Sequence, residues 1–261
     1  MSEKSKEYSK KIIVTDLDGT LLKDDKSISQ YTSDVIRRLC NSGHKFVIAT
    51  ARPLRAAKEF VANIDINAGI YHNGALIYMD GEKTDGFQID NVITLIDKIL
   101  LEYPQAAIAV EADDVLYSNF DADRLWPGNG FIYTNSNFSE LIEKKADKVI
   151  IEVSSLEDMK KYQKLLPTDL YIQLSENKIG MIMNKKATKS NGISFLAQKF
   201  NIDVENIIAF GDDYNDIDML EFCGTGICVK NAVDDVKVFA NQICDTNEND
   251  GVAKWIEEFI L

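Results

Sequence analysis

The stretch KIIVTDLDGTLL, residues 11–22, decides the fold. Residues 12–16 read as a short apolar strand that stops abruptly at Asp16, and a second acid, Asp18, follows before a Gly-Thr pair. A strand apolar on both faces belongs to a sheet covered on both sides. One acid in the turn after it is ordinary. Two acids so close repel each other unless something positive joins them. The end of this strand therefore predicts a charged site.

Working outward, the same pattern recurs. SISQYTSDVIRRLCNSGHK (27–45) reads as a helix, with Ser27 or Ser29 as cap, Val35, Ile36 and Leu39 as apolar face and Gly43 as stop. KFVIAT is a second apolar strand, ending in Thr50, and Pro53 suits the first turn of a helix running to about Asn63. AGIYHNGALIYMD (68–80) is a third strand region. Strands alternating with helices predict a parallel sheet. From Asp80 the rhythm changes. GFQI, AAIAVEA, DVLYSNF, DKVIIEVS, LYIQLSE and KIGMIMNK read as strands, with helical patterns near 90–103 and 155–166. Short turns such as SENKIG predict antiparallel hairpins. Residues 80–186 thus read as an α+β domain inserted into the first, which comprises 1–79 and 187–261. After about 187 come a helix over 190–200, the strands NIIAFGDD, TGICVK and QICD, and helices over IDMLEF, 233–240 and 251–260.

Composition narrows the function. The chain has 261 residues, 45% hydrophobic and 27% charged, with a formal net charge of −13. That charge repels phosphate backbones and anionic membranes, so neither nucleic acid nor membrane is an expected partner. A small phosphate can still bind if the site itself supplies cations. The polar N-terminus MSEKSKEYSKK reads as a short leader without a secretory core, which makes a cytoplasmic location the default. Cys40, Cys223, Cys228 and Cys244 have no CxxC spacing and read as buried small hydrophobes.

Polar groups gather at strand ends: Asp16 and Asp18 after the first strand, Thr50 after the second, and GDDYND (211–216) after NIIAFGDD. Open parallel sheets bind ligands at the carboxyl ends of their strands. Two acid clusters at one site call for a cation, and carboxylate oxygens without nitrogen or sulfur ligands suit a hard one, with Mg²⁺ favoured. Only His44 and His72 are present, so zinc is not expected. GDDYNDID does not match an EF-hand loop, and no Walker A or GxGxxG fingerprint occurs.

These motifs resemble those of the haloacid dehalogenase (HAD) superfamily. DLDGT is similar to its first motif, Thr50 in VIATAR to the second, Lys189 in ATKSNG to the third and GDDYND to the fourth, in the family's order. The insertion between the second and third, with NGA (73–75), KNA (230–232) and NDGVAKWI (249–256), resembles the Cof-type, C2B-capped (subclass IIB) phosphatases. Ser190 stands where Gly often follows the third-motif lysine, which keeps Lys185 and Lys186 as alternatives.

The resemblance implies a Rossmann-like doubly wound parallel core with an α+β cap, and a Mg²⁺-dependent phosphoric monoester hydrolase. Asp16 is then the nucleophile that becomes an aspartyl phosphate. Asp18 is the acid and base, protonating the leaving alcohol and then activating water. Thr50, Lys189 and Asn215 bind the phosphoryl group. Asp16, the Asp18 carbonyl and Asp212 hold the metal, with Asp216 ligating directly or through water. Asn215 reads equally as a helix-start cap, Arg52 as a substrate contact or an exposed charge, and Asn73 and Gly74 as a substrate-side loop or a turn. Trp126 is either cap core or a specificity contact. The expected partner is a small phosphorylated metabolite, a sugar or polyol phosphate above all, acted on by a monomer or weak homodimer. A cap roofing the site needs hinges near Asp80–Gly81 and Asn184–Ala187. Two alternatives are a phosphomutase of the same superfamily and a signalling module phosphorylated on Asp.

Overall fold

Strand β1 (Ile12–Thr15) is wholly buried, as its apolar run requires, and lies in the middle of an eight-stranded sheet. A computed structural model describes residues 10–128, 130, 132–175 and 178–261. The expectations for the leader before Lys10, for the GNG loop at Asn129 and for the hairpin turn at Glu176 and Asn177 fall outside the described residues. After β1 come α1 (Gln30–Asn41), β2 (Lys45–Ala49), α2 (Leu54–Lys58), β3 (Ala68–Tyr71), β4 (Leu76–Met79) and β5 (Glu82–Asp85). Next are α3 (Val92–Glu102), β6 (Ile108–Ala112), β7 (Val115–Ser118), β8 (Lys148–Glu152), α4 (Leu156–Gln163), β9 (Leu170–Ser175) and β10 (Ile179–Asn184). Last come α5 (Lys189–Phe200), β11 (Ile207–Gly211), α6 (Ile217–Phe222), β12 (Thr225–Val229), α7 (Asp234–Lys237), β13 (Gln242–Cys244) and α8 (Gly251–Phe259).

The chain forms two compact units. One runs to Thr84 and resumes at Thr188; the other spans Asp85–Ala187. In the first, the strand order is β13-β12-β11-β1-β2-β3-β4-β5, and β13 through β3 run parallel. The chain winds outward from β1 through β2 and β3, then returns to β11 on β1's other side and winds the opposite way. The order therefore reverses between β1 and β11, where such sheets leave a crevice at the carboxyl ends of the strands. Of the two candidate caps for α1, Ser29 accepts the Thr32 N–H, and Val35, Ile36 and Leu39 pack into the core. Burying each aliphatic side chain stabilises by roughly 1.5–3 kcal/mol relative to exposure. That supports the cost of the charged groups at the strand ends.

Several elements differ from the sequence expectation. The third strand region is two strands: β3 and β4 pair antiparallel across a tight His72–Gly74 turn. The turn Asp80–Gly81, where the rhythm was expected to change, joins β4 to β5, and β5 still belongs to the first sheet. Helix α2 stops at Lys58, because Phe60 and Ile64 donate to carbonyls three residues back and tighten the chain into turns. GFQI is no strand and makes one bridge, Ile89 to Ala146. The helix expected over 233–240 is only α7, beyond which Val238 is exposed with no core to join.

In the second unit, β7-β6-β8-β10-β9 form an antiparallel sheet. Alternate residues such as Ile108, Val110, Val149 and Ile151 pack under α3 and α4. Ala109 and Ile150 face the other side, where Phe120, Leu125 and Trp126 cover them, so Trp126 is a packing residue of this unit. All four cysteines are free, and Cys223, Cys228 and Cys244 are buried. Among the described residues no helix is long and apolar enough to cross a membrane.

Candidate active site

Three loops meet at the carboxyl ends of β1, β2 and β11, and their acids converge. Asp16 follows β1, with its N–H on the Phe210 carbonyl of β11 at 3.0 Å, so the two strand ends are locked together. Asp212 and Asp216 follow β11, and one carboxylate oxygen from each of Asp16, Asp212 and Asp216 lies within 4.8 Å of the others. Lys189, first residue of α5, is fully buried between them. Its Nζ donates to Asp16 Oδ1 at 2.6 Å and to Asp216 Oδ1 at 2.5 Å. Lys185 and Lys186 are exposed and belong to the other unit, while Lys189 lies among the acids. Ser190 fits after it because its N–H donates to Asp218 Oδ2 at 2.8 Å.

The charge balance is unequal. Three carboxylates share one ammonium, an arrangement that burial makes costly. Burial pushes the Asp16 carboxyl up to about 8, Lys189 opposes the shift, and Asp216 and Asp212 add to it. Burial also pushes Asp212 up to about 6 against the pull of its Thr20 hydrogen bond. For Lys189, burial alone disfavours the charge, but Asp16 and Asp216 outweigh it and hold the ammonium above its ordinary value. Both Asp216 oxygens are engaged, Oδ1 by Lys189 and Oδ2 by the Asp212 and Asp213 N–H groups at 2.8 and 3.1 Å. Asp16 Oδ2 and Asp212 Oδ2 accept no hydrogen bond from the described residues. Two open carboxylate oxygens beside an excess of buried negative charge, with no nitrogen or sulfur donor, form a donor set that fits a hard divalent cation.

Asp18 lies apart from this cluster. Arg52 grips it with a fork, Nε to Oδ2 at 2.5 Å and Nη2 to Oδ1 at 2.7 Å, and Lys26 Nζ donates to Oδ1 at 2.7 Å. The Arg52 bond above all, with Lys26 behind it, holds the Asp18 carboxyl down to about 2. Thr50 is buried at the end of β2, and its Oγ1 accepts the Arg52 N–H at 3.2 Å. Asn215 is no helix cap, since Asp213 caps that turn. Its side chain reaches Asn73 at 3.3 Å instead. Asn73 sits at φ 53°, in the left-handed region that Asn tolerates. Gly74 is required: at φ 111° an added Cβ lies 2.4 Å from the Thr188 carbonyl, at the N-cap of α5.

The family model for haloacid dehalogenase-like hydrolases matches residues 13–256. The chain belongs to this hydrolase family. It is 31% identical to a 5-amino-6-(5-phospho-D-ribitylamino)uracil phosphatase of Bacillus subtilis, over 95% of this chain and 97% of that one. Its fold matches a HAD-superfamily phosphatase from Bacteroides thetaiotaomicron, with a TM-score of 0.82, 24% identity and coverage of 99% and 97%. It also matches a HAD subclass IIB sugar phosphatase, with a TM-score of 0.75, 22% identity and coverage of 95% and 98%.

Seen within this hydrolase family, the site contains side chains that sequence reading passed over. Thr20 Oγ1 donates to Asp212 Oδ1 at 2.6 Å and fixes that acid's rotamer. Its signal was in plain sight, as the last letter of DLDGT. Asn231, within KNA, donates to the Gly19 carbonyl at 2.7 Å, and Asn247 accepts nothing from the site but donates to the Leu22 carbonyl at 3.0 Å. Together they brace the loop that carries both acids. Lys26 had no sequence signal, being one lysine among the charges of KDDK.

Proposed function

We propose that the protein is a Mg²⁺-dependent phosphatase that hydrolyses a small sugar or polyol phosphate through an aspartyl phosphate on Asp16. The observation that carries this reading is the cluster in which Lys189 pairs with two of three gathered carboxylates while, among the described residues, Asp16 Oδ2 and Asp212 Oδ2 accept no hydrogen bond. Asp16 attacks phosphorus, and Asp18 delivers a proton to the departing alcohol oxygen. Asp18 then takes a proton from the water that cleaves the aspartyl phosphate. Lys189 holds Asp16 in place and stabilises the equatorial phosphoryl oxygens as charge spreads onto them. Thr50 donates to the same oxygens, and the Asn73–Asn215 pair, with Gly74 beside it, lies at the rim of the site as a substrate-side loop. Asp16, Asp212 and the Asp18 carbonyl would hold Mg²⁺, which would supply positive charge to keep the acids ionised beside a phosphate dianion. Asp216, its oxygens already engaged, positions Lys189 and would hold the cation only indirectly.

The substrate class is supported by the relatives. One is named for a substrate whose phosphate sits on a ribityl chain, and another is named a sugar phosphatase. The net charge of −13 also opposes polyanions. The test is turnover of p-nitrophenyl phosphate by metal-stripped protein with and without added Mg²⁺, followed by a screen of sugar phosphates, polyol phosphates and phosphopeptides. The expected result is Mg²⁺-dependent turnover with polyol or sugar phosphates ahead. Full activity in excess EDTA, or a phosphopeptide ahead of every sugar phosphate, overturns the reading.

A further inference from the structure

The Asp18 carboxylate is held by three cationic donors, and their distribution between its oxygens is uneven. Oδ1 accepts from Arg52 Nη2 and from Lys26, each at 2.7 Å, whereas Oδ2 accepts only from Arg52 Nε, at 2.5 Å. Both oxygens of this carboxylate face a cation, and the Arg52 N–H on Oδ2 opposes the arrival of a proton there. Proton transfer at Oδ2 becomes easier when Arg52 lets go.

The surroundings of Arg52 allow that movement. Its backbone is tied down, with its N–H on Thr50 Oγ1 at 3.2 Å and its carbonyl accepting the His72 N–H at 3.1 Å. The guanidinium is held by the Asp18 fork and lies over the Phe60 ring at 4.8 Å. The Arg52 and Asp18 side chains are 26% and 37% exposed, unlike the buried Lys189 pairs, so solvent screens this ion pair and it exchanges more readily than they do. The guanidinium also stands close enough to Asp16 to feel its charge. A planar fork of this kind binds phosphate in the same two-pronged way as carboxylate. Lys26 is fixed separately, in a tight turn at φ 66° where its N–H donates to the Lys23 carbonyl at 2.9 Å.

We propose that Arg52 is a latch shared between Asp18 and the substrate phosphate. In the free protein it holds Asp18; when a phosphate arrives beside Asp16 the guanidinium turns to it and releases Asp18 Oδ2, while Lys26 keeps Oδ1. The proposal rests on the phosphatase reading above. Once released, Asp18 Oδ2 takes up a proton from solvent. In the first half-reaction the Asp16 oxygen–phosphorus bond forms, the bond from phosphorus to the alcohol oxygen breaks, and that proton passes to the alcohol oxygen. In the second, the water oxygen bonds to phosphorus and its proton goes to Oδ2. The phosphorus–Asp16 bond then breaks, and inorganic phosphate leaves. The proton on Oδ2 is lost to solvent when Arg52 returns. Arg52 and Lys26 act here as positioning residues, and the latch couples the release of the acid to the presence of phosphate.

Competition for one guanidinium has a thermodynamic signature that needs no turnover. Inorganic phosphate binding to the Mg²⁺-loaded protein is measured by calorimetry for the wild type, Asp18→Asn, Arg52→Gln and the double variant. Releasing Arg52 by Asp18→Asn is expected to tighten phosphate binding about three- to fivefold, the size of a partly exposed ion pair. In the Arg52→Gln background the same change is expected to give less than half that gain. If Arg52→Gln does not fold, Arg52→Lys serves, because it keeps the charge but loses the fork, and the gain again shrinks. An equal gain in both backgrounds means that Asp18 acts by simple repulsion, which overturns the latch and leaves the phosphatase reading standing. An Arg52→Gln protein that binds phosphate as tightly as the wild type overturns it too. If the wild type binds no phosphate at all, the phosphatase reading fails with it.

Discussion

Replacing Lys189 with methionine keeps most of the volume and removes the ammonium that pairs with the buried Asp16 and Asp216, beside the half-buried Asp212. Its Nζ lies 2.6 Å from Asp16 and 2.5 Å from Asp216, so both lose their nearest positive partner together. Breaking a buried pair by deleting one member costs about 3–5 kcal/mol. For a chain of this size each kcal/mol lowers the melting temperature by about 2–4 °C, so Lys189→Met should melt roughly 6–20 °C lower. The loss should depend on pH, and its sign follows from the folded-state values. Asp16 at about 8 and Asp212 at about 6 both stand above the ordinary carboxylate value of 3.8. Groups raised in the folded state contribute stability that is fully present below about pH 4 and disappears as pH rises through the folded values, here from about 4 to 8. A proton taken up near pH 5 replaces part of what the lysine supplied, so the deficit of Lys189→Met should be smaller near pH 5 than near pH 8. The assay is thermal unfolding of metal-free protein followed by circular dichroism at both pH values, with Lys189→Met/Asp216→Asn as a control. Neutralising Asp216 should return part of the loss, with a non-additivity of about 0.5–3 kcal/mol. An unchanged melting temperature, or the same loss at both pH values, refutes the charge argument.

The remaining predictions concern the two loops. Asp16→Asn is expected to abolish turnover of p-nitrophenyl phosphate, and a nearly active variant contradicts its role as nucleophile. Asp18→Asn should lower steady-state turnover of alkyl phosphates by about 10²–10⁴-fold. It should affect p-nitrophenyl phosphate less, since that leaving group departs without a proton, and equal losses on both substrates argue against proton donation. Gly19→Ala places a Cβ 2.4 Å from Asp212 Oδ2 in a backbone at φ 76°. The backbone strain alone is about 1–2 kcal/mol. Displacement of Asp212 should then raise the Mg²⁺ concentration needed for half-maximal activity several-fold, and a Mg²⁺ titration identical to the wild type rules this out.

Much of the fold was legible because burial on both faces leaves a distinctive mark. Ile12–Thr15, Lys45–Ala49 and Ile207–Gly211 are mostly apolar, and each is followed at once by a polar residue, Asp16, Thr50 or Asp212. The misreadings occur where local chemistry is ambiguous. In AGIYHNGALIYMD nothing in the apolar pattern separates one strand from two. The break is made by His72, Asn73 and Gly74, all at positive φ, and only Gly74 advertises it. Helix α2 and the segment after α7 look helical by propensity but lack enough buried face to continue. The acid cluster was legible for a different reason: the chemistry demands several carboxylates at strand ends, and the sheet brings them together. Asn231 acts through a hydrogen bond that only the fold creates, and a lone Asn carries no periodic signal.

The two acids of DLDGT, two residues apart, are neutralised by different sets of cations. Asp16 points inward, where Lys189 receives it. Asp18 points outward to Arg52 and Lys26, and solvent reaches the pair. Gly19, at φ 76°, turns the chain just after them and lets Asp212 approach where any side chain would block it. That division explains how one short loop supports two tasks. A nucleophile must stay ionised and fixed, which a buried lysine and a bound cation can achieve together. A group that both gives and takes a proton must change charge every turnover, and a buried permanent partner prevents that. A half-buried partner that exchanges, as proposed for Arg52, would not. On the proposed mechanism, the difference in burial between the Lys189 and Arg52 ion pairs, more than the identity of the acids they hold, separates the two roles.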